Sequence, residues 1–441
     1  MNRRIKALLA VAVAFVLCFG GFTSAFAAGD PVIGSESTPV RAAIAKQLKM
    51  PIGTLTPNAT FNYTVTKISV DGETAPALVA GMPNLNTSNL SVVFTNADTG
   101  TVNGDVKTVI LETGDLFNGV AWTHAGVYVY EIEEQLNSYT IVDPNHETMA
   151  YSTGKYTLNV YVKQGTGANA GSYYVYALGA VVAAVDNDEQ AVGDKVDPTP
   201  GTGTGSDYSE MVFTNIYVKT NGAEDPEDPD PTTASTLSVS KAVEGDFADT
   251  TWYFDFSVTV AAPSLVYNPA DLNATPPVYY AYIVDGTTVV SAADLADANK
   301  NNATVAGTDT RGQAYISFTS GTANTIKLKN DQRLVFINTP VGTSYNVTEA
   351  GVIDFIATAS FVYDGSVPTA VSAPGTQNTA LTVANKLVGE GANSADFVNV
   401  RDVVTPMGVF LNNLPFYVLI AVAIGALIVF VVVKSRKRNN Q

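Results

Sequence analysis

Two distant parts of the chain each place a lysine, a glutamate and an asparagine, in that order, on the apolar phase of strand-like segments. In a β-strand every second side chain points to the same face, so a residue in step with apolar neighbours is expected to face the core. The first trio is Lys46, Glu134 and Asn215, and the second is Lys241, Glu349 and Asn399. Because an unpaired buried charge is costly, we expect the members of each trio to contact one another.

The phase of each position follows from its neighbours two residues away. Lys46 is in step with Ile44 and Leu48. Asn399 is in step with Phe397, although valines also occupy the alternate positions around it. For any single position the simpler interpretation is a lysine that reaches the rim of the core or a partly buried ion pair. Two trios in the same order favour a shared chemistry instead.

The first 27 residues have the layout of a secretory signal peptide. Arg3, Arg4 and Lys6 precede an apolar run, and Ala25 and Ala27 form a small-x-small cleavage site. The single cysteine of the chain, at position 18, lies inside this segment. We therefore expect a secreted mature protein without a disulfide.

The C-terminal end has the layout of a membrane anchor. Residues 414–433 form a continuous apolar stretch long enough to cross a bilayer, and the tail at 434–441 is basic. Within residues 403–413, the segment Thr405, Pro406, Met407 and Gly408 resembles a Gram-positive cell-wall sorting signal, which a sortase cuts after a threonine. Methionine stands in place of that threonine here. The layout predicts a cell-surface protein that is either attached to peptidoglycan or retained by its membrane span.

The charge of the exposed part argues against nucleic acid as a partner. The chain has 24 basic and 41 acidic residues, and seven of the basic ones lie in the two terminal segments, so the part between them has 24 − 7 = 17 basic residues and a net charge of −24. Such a surface repels phosphate backbones. Few charges overall and abundant Thr, Val, Tyr and Gly indicate all-β structure.

The length between the terminal segments predicts two domains. A stretch rich in proline and aspartate at 221–234 reads as a linker, so we expect domains over 36–220 and 235–402. Short alternating strands separated by turn signals favour two tandem immunoglobulin-like sandwiches, followed by the transmembrane helix. One short helix is predicted over 292–300 with Ser291 as its N-cap.

Several segments resemble the major pilin of streptococcal pili and its isopeptide-linkage domains, which have the sandwich fold of collagen-binding adhesin B-type repeats. The resemblance covers nearly the whole region between the terminal segments. It rests on residues 45–46, 60–63, 126–134, 156–158 and 213–215 in the first half and on residues 237–241, 341–349 and 397–399 in the second.

The resemblance implies two self-made Lys–Asn isopeptide bonds. Lys46 would bond to Asn215 with Glu134 assisting, and the second trio would react in the same way. Burial makes such chemistry plausible, because it lowers the pKa of a lysine and raises that of a carboxyl group. A neutral glutamate could hydrogen-bond the asparagine oxygen and then move protons to the departing ammonia. The reaction needs no cofactor and occurs once per site, so the protein is not expected to be an enzyme.

Three interpretations of function remain open. A structural surface protein could polymerise as a pilin with other subunits, but Tyr208 stands where pilins of this type have their linking lysine, and the nearest earlier lysine is Lys195. A surface protein that stands as a single copy, without polymerising, would not need the linking lysine. An adhesin could bind a host ligand through the segment 163–207. A hydrolase is the weakest, since His124 and His146 are expected in solvated loops.

Overall fold

The computed structural model describes residues 33–185, 190–202, 207–221, 237–271, 273–371 and 377–402, together with residues 419, 420, 422–424 and 426. The predicted signal peptide, most of the linker and the sorting-like residues 405–408 lie outside the described residues. The described part is built of β-strands with a few short helical turns, so the all-β prediction is confirmed.

The first half of the chain forms two sheets. Its strands are β1 (Ala45–Pro51), β2 (Ala59–Val70), β3 (Ser91–Phe94), β4 (Thr101–Asn103), β5 (Val106–Glu112), β6 (Gly126–Glu134), β7 (Glu147–Ala150), β8 (Lys155–Gln164), β9 (Tyr173–Ala184), β10 (Lys195–Val196) and β11 (Val212–Lys219), with one short helix, α1 (Pro76–Ala80). One sheet has the order β4-β5-β1-β11-β7 and the other has the order β10-β9-β8-β6-β2-β3. Apolar side chains from both sheets share one core, among them Leu48, Phe61, Tyr128 and Phe213.

The second half repeats this arrangement with its own core. Its strands are β12 (Leu237–Glu244), β13 (Phe254–Ala261), β14 (Val278–Asp285), β15 (Thr288–Val289), β16 (Val305–Thr308), β17 (Ala314–Thr319), β18 (Asn324–Leu328), β19 (Gln332–Phe336), β20 (Ser344–Glu349), β21 (Ile356–Val362), β22 (Thr369–Ala370), β23 (Leu381–Leu387) and β24 (Ser394–Val400), with one short helix, α2 (Ala292–Ala296). The larger sheet has the order β16-β17-β14-β19-β12-β24-β21-β22, with β15 beside β14, and the smaller sheet has the order β18-β13-β20-β23. Phe254, Val347 and Phe397 lie in the core between them.

The burial of alternate side chains explains why these segments are strands. In β12 and β24 buried and half-buried residues alternate almost without exception. A period of two places one face of each strand on the core and leaves the other outside.

In each half the first and last strands lie side by side and run parallel. Strand β1 pairs with β11, and β12 pairs with β24, whereas the other ladders are antiparallel. The chain therefore enters and leaves each half on neighbouring strands of one sheet. Two of the three members of each trio lie on these strands.

A defined contact joins the two halves. The carboxylate of Glu390 accepts hydrogen bonds from the backbone N–H of Leu55 at 2.7 Å and from Nζ of Lys219 at 2.8 Å. Asn221, predicted as the first linker residue, is buried and donates from Nδ2 to the carbonyl of Gly389 at 2.8 Å. The backbone N–H of Val341 donates to the carbonyl of Lys219 at 2.8 Å. The second half therefore holds the end of β11 directly.

The predicted membrane span falls mostly outside the described residues. Residues 419, 420, 422–424 and 426 are helical. Among the residues that the structure describes, none belongs to a helix long and apolar enough to cross a membrane.

Candidate functional site

The first trio meets in the core between the two sheets of the first half. Lys46 on β1 lies opposite Phe213 on β11, and Asn215 is two residues further along β11 on the same face. Glu134 comes from β6 in the facing sheet. Its Oε2 lies 2.6 Å from Nζ of Lys46, and its Oε1 accepts a hydrogen bond of 2.8 Å from Nδ2 of Asn215. One carboxyl group therefore contacts both partners of the expected bond.

The second trio has the same register. Lys241 on β12 lies opposite Phe397 on β24, and Asn399 is again two residues further along. Oε1 of Glu349, on β20 of the facing sheet, is 3.0 Å from Nζ of Lys241 and accepts from Nδ2 of Asn399 at 2.8 Å. Nζ of Lys241 and Oε1 of Glu349 are within ion-pair distance, but the angles between them do not fit a hydrogen bond. Both trios thus come together by the same offset between a first and a last strand.

All six side chains are buried, as their phase predicts. Each of the six residues is at most 5% exposed. The two lysines are among the largest fully buried side chains of the described residues. A lysine and a glutamate in such a place can avoid the cost of two separated charges by sharing a proton.

A phenylalanine ring faces each lysine. Nζ of Lys46 lies 4.8 Å from the ring centroid of Phe61, and Nζ of Lys241 lies 4.3 Å from that of Phe254. In both halves the ring is two residues before the residue that pairs with the glutamate. Sequence reasoning gave these rings no role, although both are on the apolar phase of their strands. They exclude water from the ammonium group and offer it the face of an aromatic ring.

Burial shifts the ionisation of the second trio towards neutral groups. It lowers the pKa of Lys241 to about 8, against the opposing attraction of Glu349. Burial also raises the pKa of Glu349, with Lys241 and Asn399 acting in the other direction. A neutral amine is a nucleophile, and a protonated carboxyl group is a proton donor.

The surroundings of the two asparagines differ. Oδ1 of Asn215 accepts a hydrogen bond of 2.7 Å from the backbone N–H of Ser152. Oδ1 of Asn399 and Oε2 of Glu349 have no hydrogen-bond partner among the described residues. In both trios the glutamate accepts from the asparagine nitrogen, so the expected hydrogen bond to the asparagine oxygen is not found at either site, and in the first trio the N–H of Ser152 bonds that oxygen instead.

Lys195, the lysine nearest before Tyr208 in the sequence, is exposed and lines an open pocket. Lys195 and Tyr208 line the same opening, of about 700 Å³, together with Asp194 and Glu210. The two positions are thus neighbours in space although a glycine-rich loop separates them in sequence.

The two histidines occupy different environments. His124 is exposed, as expected. His146 is buried, and its Nδ1 lies 2.8 Å from Oδ2 of Asp143. The expectation of a solvated His146 was wrong because its loop packs where the halves meet, and its carbonyl accepts from the backbone N–H of Thr220. No group of three or more potential metal ligands occurs within the described residues.

Comparison with known proteins adds a second line of observation. A family model described as a domain of unknown function, DUF7601, matches residues 235–401. No curated protein matches the chain.

Solved structures that match include pilins and a pilus adhesin. The major pilin from Streptococcus pyogenes is 16% identical with a TM-score of 0.30, and the match covers 83% of this chain and 100% of that chain. The major pilin T3.2 from Streptococcus pyogenes is 18% identical with a TM-score of 0.29, covering 82% and 98%. A pilus-presented adhesin is 12% identical with a TM-score of 0.23, covering 57% and 36%. The first two are major pilins, the class of protein that the sequence resembles.

Proposed function

We propose that the chain is a structural cell-surface protein of a Gram-positive bacterium, with two sandwich domains at 36–220 and 235–402 that each form one internal isopeptide bond. The observation that carries this proposal is the repeated arrangement of the two trios. Lysine and asparagine lie on the neighbouring first and last strands, and a buried glutamate from the facing sheet contacts both. One such cluster alone could be an ordinary buried ion pair with a neighbouring asparagine. The same strand register of the two clusters favours a common reaction.

The reaction balances without a cofactor. Nζ of the lysine attacks Cγ of the asparagine, a new C–N bond forms, and the bond from Cγ to Nδ2 breaks. The proton lost by Nζ passes to the glutamate and from it to Nδ2, which leaves as ammonia. In the first trio the two carboxyl oxygens of Glu134 are already placed for this relay, one at each nitrogen. Folding holds the groups together, so the effective concentration is high. Each site reacts once, and the protein is therefore not an enzyme.

The placement of the bonds suggests a mechanical role. Each would connect the strand on which the chain enters a domain with the strand on which it leaves. Tension along the chain would then pass through a covalent bond and spare the residues between. This is the property that a stalk or pilus subunit requires.

Intact mass of the secreted region, residues 28–402, tests the bonds directly. We expect a mass lower than that of the sequence by two molecules of ammonia. Glu134→Ala and Glu349→Ala should each restore one ammonia, and the double variant should restore both. Exchanging the exposed Glu244 for alanine is the matched control and should leave the mass deficit unchanged. A wild-type mass equal to that of the sequence would reject the proposal.

We also propose that the C-terminal segment anchors the protein at the surface. The support is the sequence layout of residues 405–408, the apolar stretch 414–433 and the basic tail. Release of the protein from walls by a peptidoglycan hydrolase would indicate attachment by a sortase. Extraction by detergent alone would indicate that the membrane span is retained.

Polymerisation into a pilus is a separate question from the internal bonds. Lys195 in its open pocket is the candidate amine for a link to the next subunit, and residues 405–408 would supply the other end. A ladder of high-molecular-weight bands in wall extracts, lost in Lys195→Arg, would identify a pilin. One discrete band would identify a single-copy stalk. The adhesin alternative stays a prediction, because no group of described residues specifies a ligand.

A further inference from the structure

We propose that the backbone N–H of Ser152 is a catalytic group of the first site, where it stabilises the negative charge that develops on the oxygen of Asn215, and that the second site has no equivalent. This inference rests on the proposed isopeptide reaction. It predicts that the two bonds of one chain form at different rates.

The orientation of the Asn215 amide follows from its neighbours. A backbone N–H can only donate, so the atom 2.7 Å from the nitrogen of Ser152 must be the oxygen. The nitrogen Nδ2 then faces Oε1 of Glu134, and Oε2 of Glu134 faces Lys46. The oxygen and the nitrogen of the reacting amide thus have separate partners.

Each partner matches one event of the reaction. When Nζ of Lys46 bonds to Cγ, the electron pair of the carbonyl bond moves to Oδ1, and the N–H of Ser152 is already at hydrogen-bond distance from that oxygen. When the intermediate collapses, Nδ2 takes a proton from Glu134 and leaves as ammonia. Ser152 is only 2% exposed, so water does not weaken its effect. A fixed donor aimed at the developing oxyanion is commonly the largest contribution to such reactions.

The local fold explains why this N–H is available. The ladder between β7 and β11 ends at the pair Ala150 and Ile216, one residue short of Asn215. The chain then leaves the sheet towards β8, and Ser152 lies in this crossing segment. Its N–H therefore lies beyond the end of the ladder and donates to the asparagine side chain.

At the second site no described residue donates a hydrogen bond to the corresponding oxygen. Asn399 lies within the ladder, opposite Ala357 of β21. Oδ1 of Asn399 has no hydrogen-bond partner among the described residues, and Oε1 of Glu349 contacts both Lys241 and Asn399. Glu349 would have to polarise the amide and also transfer the protons. We therefore expect the second bond to form more slowly.

The test measures each site alone. Lys241→Met leaves only the first site and Lys46→Met only the second. Each chain is dissolved from inclusion bodies in guanidinium, its unreacted mass is verified, and loss of ammonia is followed by mass after dilution. Trp122 in the first half and Trp252 in the second report folding separately. We expect the first site to react at least about tenfold faster once folded, since one oxyanion donor typically contributes about 100-fold or more. Equal rates would overturn the proposal.

Variants at position 152 then test the N–H itself in the Lys241→Met chain. Ser152→Ala keeps the N–H but removes the hydroxyl group, which accepts a hydrogen bond from the backbone N–H of Gly154, so its rate measures what the hydroxyl contributes apart from the N–H. Replacing Ser152 by its α-hydroxy acid removes the N–H alone and should slow the reaction about 100-fold. Ser152→Pro should do the same if Trp122 shows that it folds.

The outcomes separate this inference from the proposed function. If neither site of the wild-type chain ever loses ammonia, the isopeptide proposal itself fails. If the bond forms and the variant with the α-hydroxy acid at position 152 reacts at the parent rate, only the role of Ser152 is rejected.

Discussion

At the residue scale, alternation was sufficient to find the six buried side chains of the two trios but not the groups around them. Asn399 illustrates the strength of the pattern, because valines flank it and yet it is buried while they are half-buried. The ring of Phe254 has no signature beyond its apolar phase. The backbone N–H of Ser152 has no sequence signature at all, since every residue except proline has a backbone N–H. Such contacts depend on where a chain leaves a sheet, and that is decided by packing between distant segments.

The lowered pKa of Lys241 predicts how the second bond responds to pH. Only the neutral amine can attack, and at pH 7 a pKa of about 8 leaves about one lysine in ten neutral. An unperturbed lysine would be neutral in only about one molecule in three thousand. We expect the rate in the Lys46→Met chain to fall about tenfold per pH unit below pH 7 and to rise towards pH 8, until loss of the proton from Glu349 limits it.

This dependence is measured as release of ammonia after refolding between pH 5.5 and pH 9, with the fluorescence of Trp252 verifying folding at each pH. A rate independent of pH would show that the amine is not the titrating nucleophile.

At the scale of elements, the expected short alternating strands are present. Residues 60–63 and 156–158, on which the resemblance rests, lie within β2 and β8. The helix begins after its predicted cap, Ser291, whose side chain accepts from the N–H of Asp294, but it ends at Ala296 rather than 300. Strand β9 lies within the segment 163–207 that the adhesin interpretation uses, and small residues, Ala177 and Ala180, occupy buried positions on it.

The loop that each bond closes predicts a gain in stability. Lys241 and Asn399 are 158 positions apart in the sequence (399 − 241), and the chain-entropy relation for cross-links gives about 5 kcal/mol for a loop of this length. A double-mutant cycle of Lys241→Met and Asn399→Ala isolates this term, because no bond can form once Lys241 is replaced.

We expect Asn399→Ala to lower the free energy of unfolding of the second half by about 5 kcal/mol more in the wild-type background than in the Lys241→Met background. Denaturant titration followed by Trp252 gives both values. A coupling near zero would mean that the bond is absent or adds nothing.

At the scale of the whole molecule, the sequence predicted two units and a linker but not the way in which they meet. Glu390 and Leu55 are 335 residues apart, and nothing local signals their contact. The junction also uses Asn221, which the composition of its neighbours had assigned to the linker. The end of β11 is thereby held by the second half, so the region between the two proposed bonds is short and anchored.

Pulling on single molecules from residues 33 and 402 should distinguish cross-linked from open domains. The wild-type chain is expected to lengthen very little, since the proposed bonds would carry the force past both domains. Glu134→Ala should add one unfolding event that releases 169 residues (215 − 46), equivalent to about 590 Å at about 3.5 Å per residue. Glu244→Ala should behave as the wild type. An event of this length in the wild type would contradict the mechanical role.

The parallel pairing of the first and last strands has one more consequence. The proposed bond between them would turn most of each domain into a closed covalent ring, and in the first domain the exposed residues 191–195 would lie within this ring. If a protease cuts the backbone once within such a ring, the two parts of the chain remain joined through the isopeptide bond. A surface protein built in this way can be nicked by its surroundings and still connect the cell to whatever its far end holds.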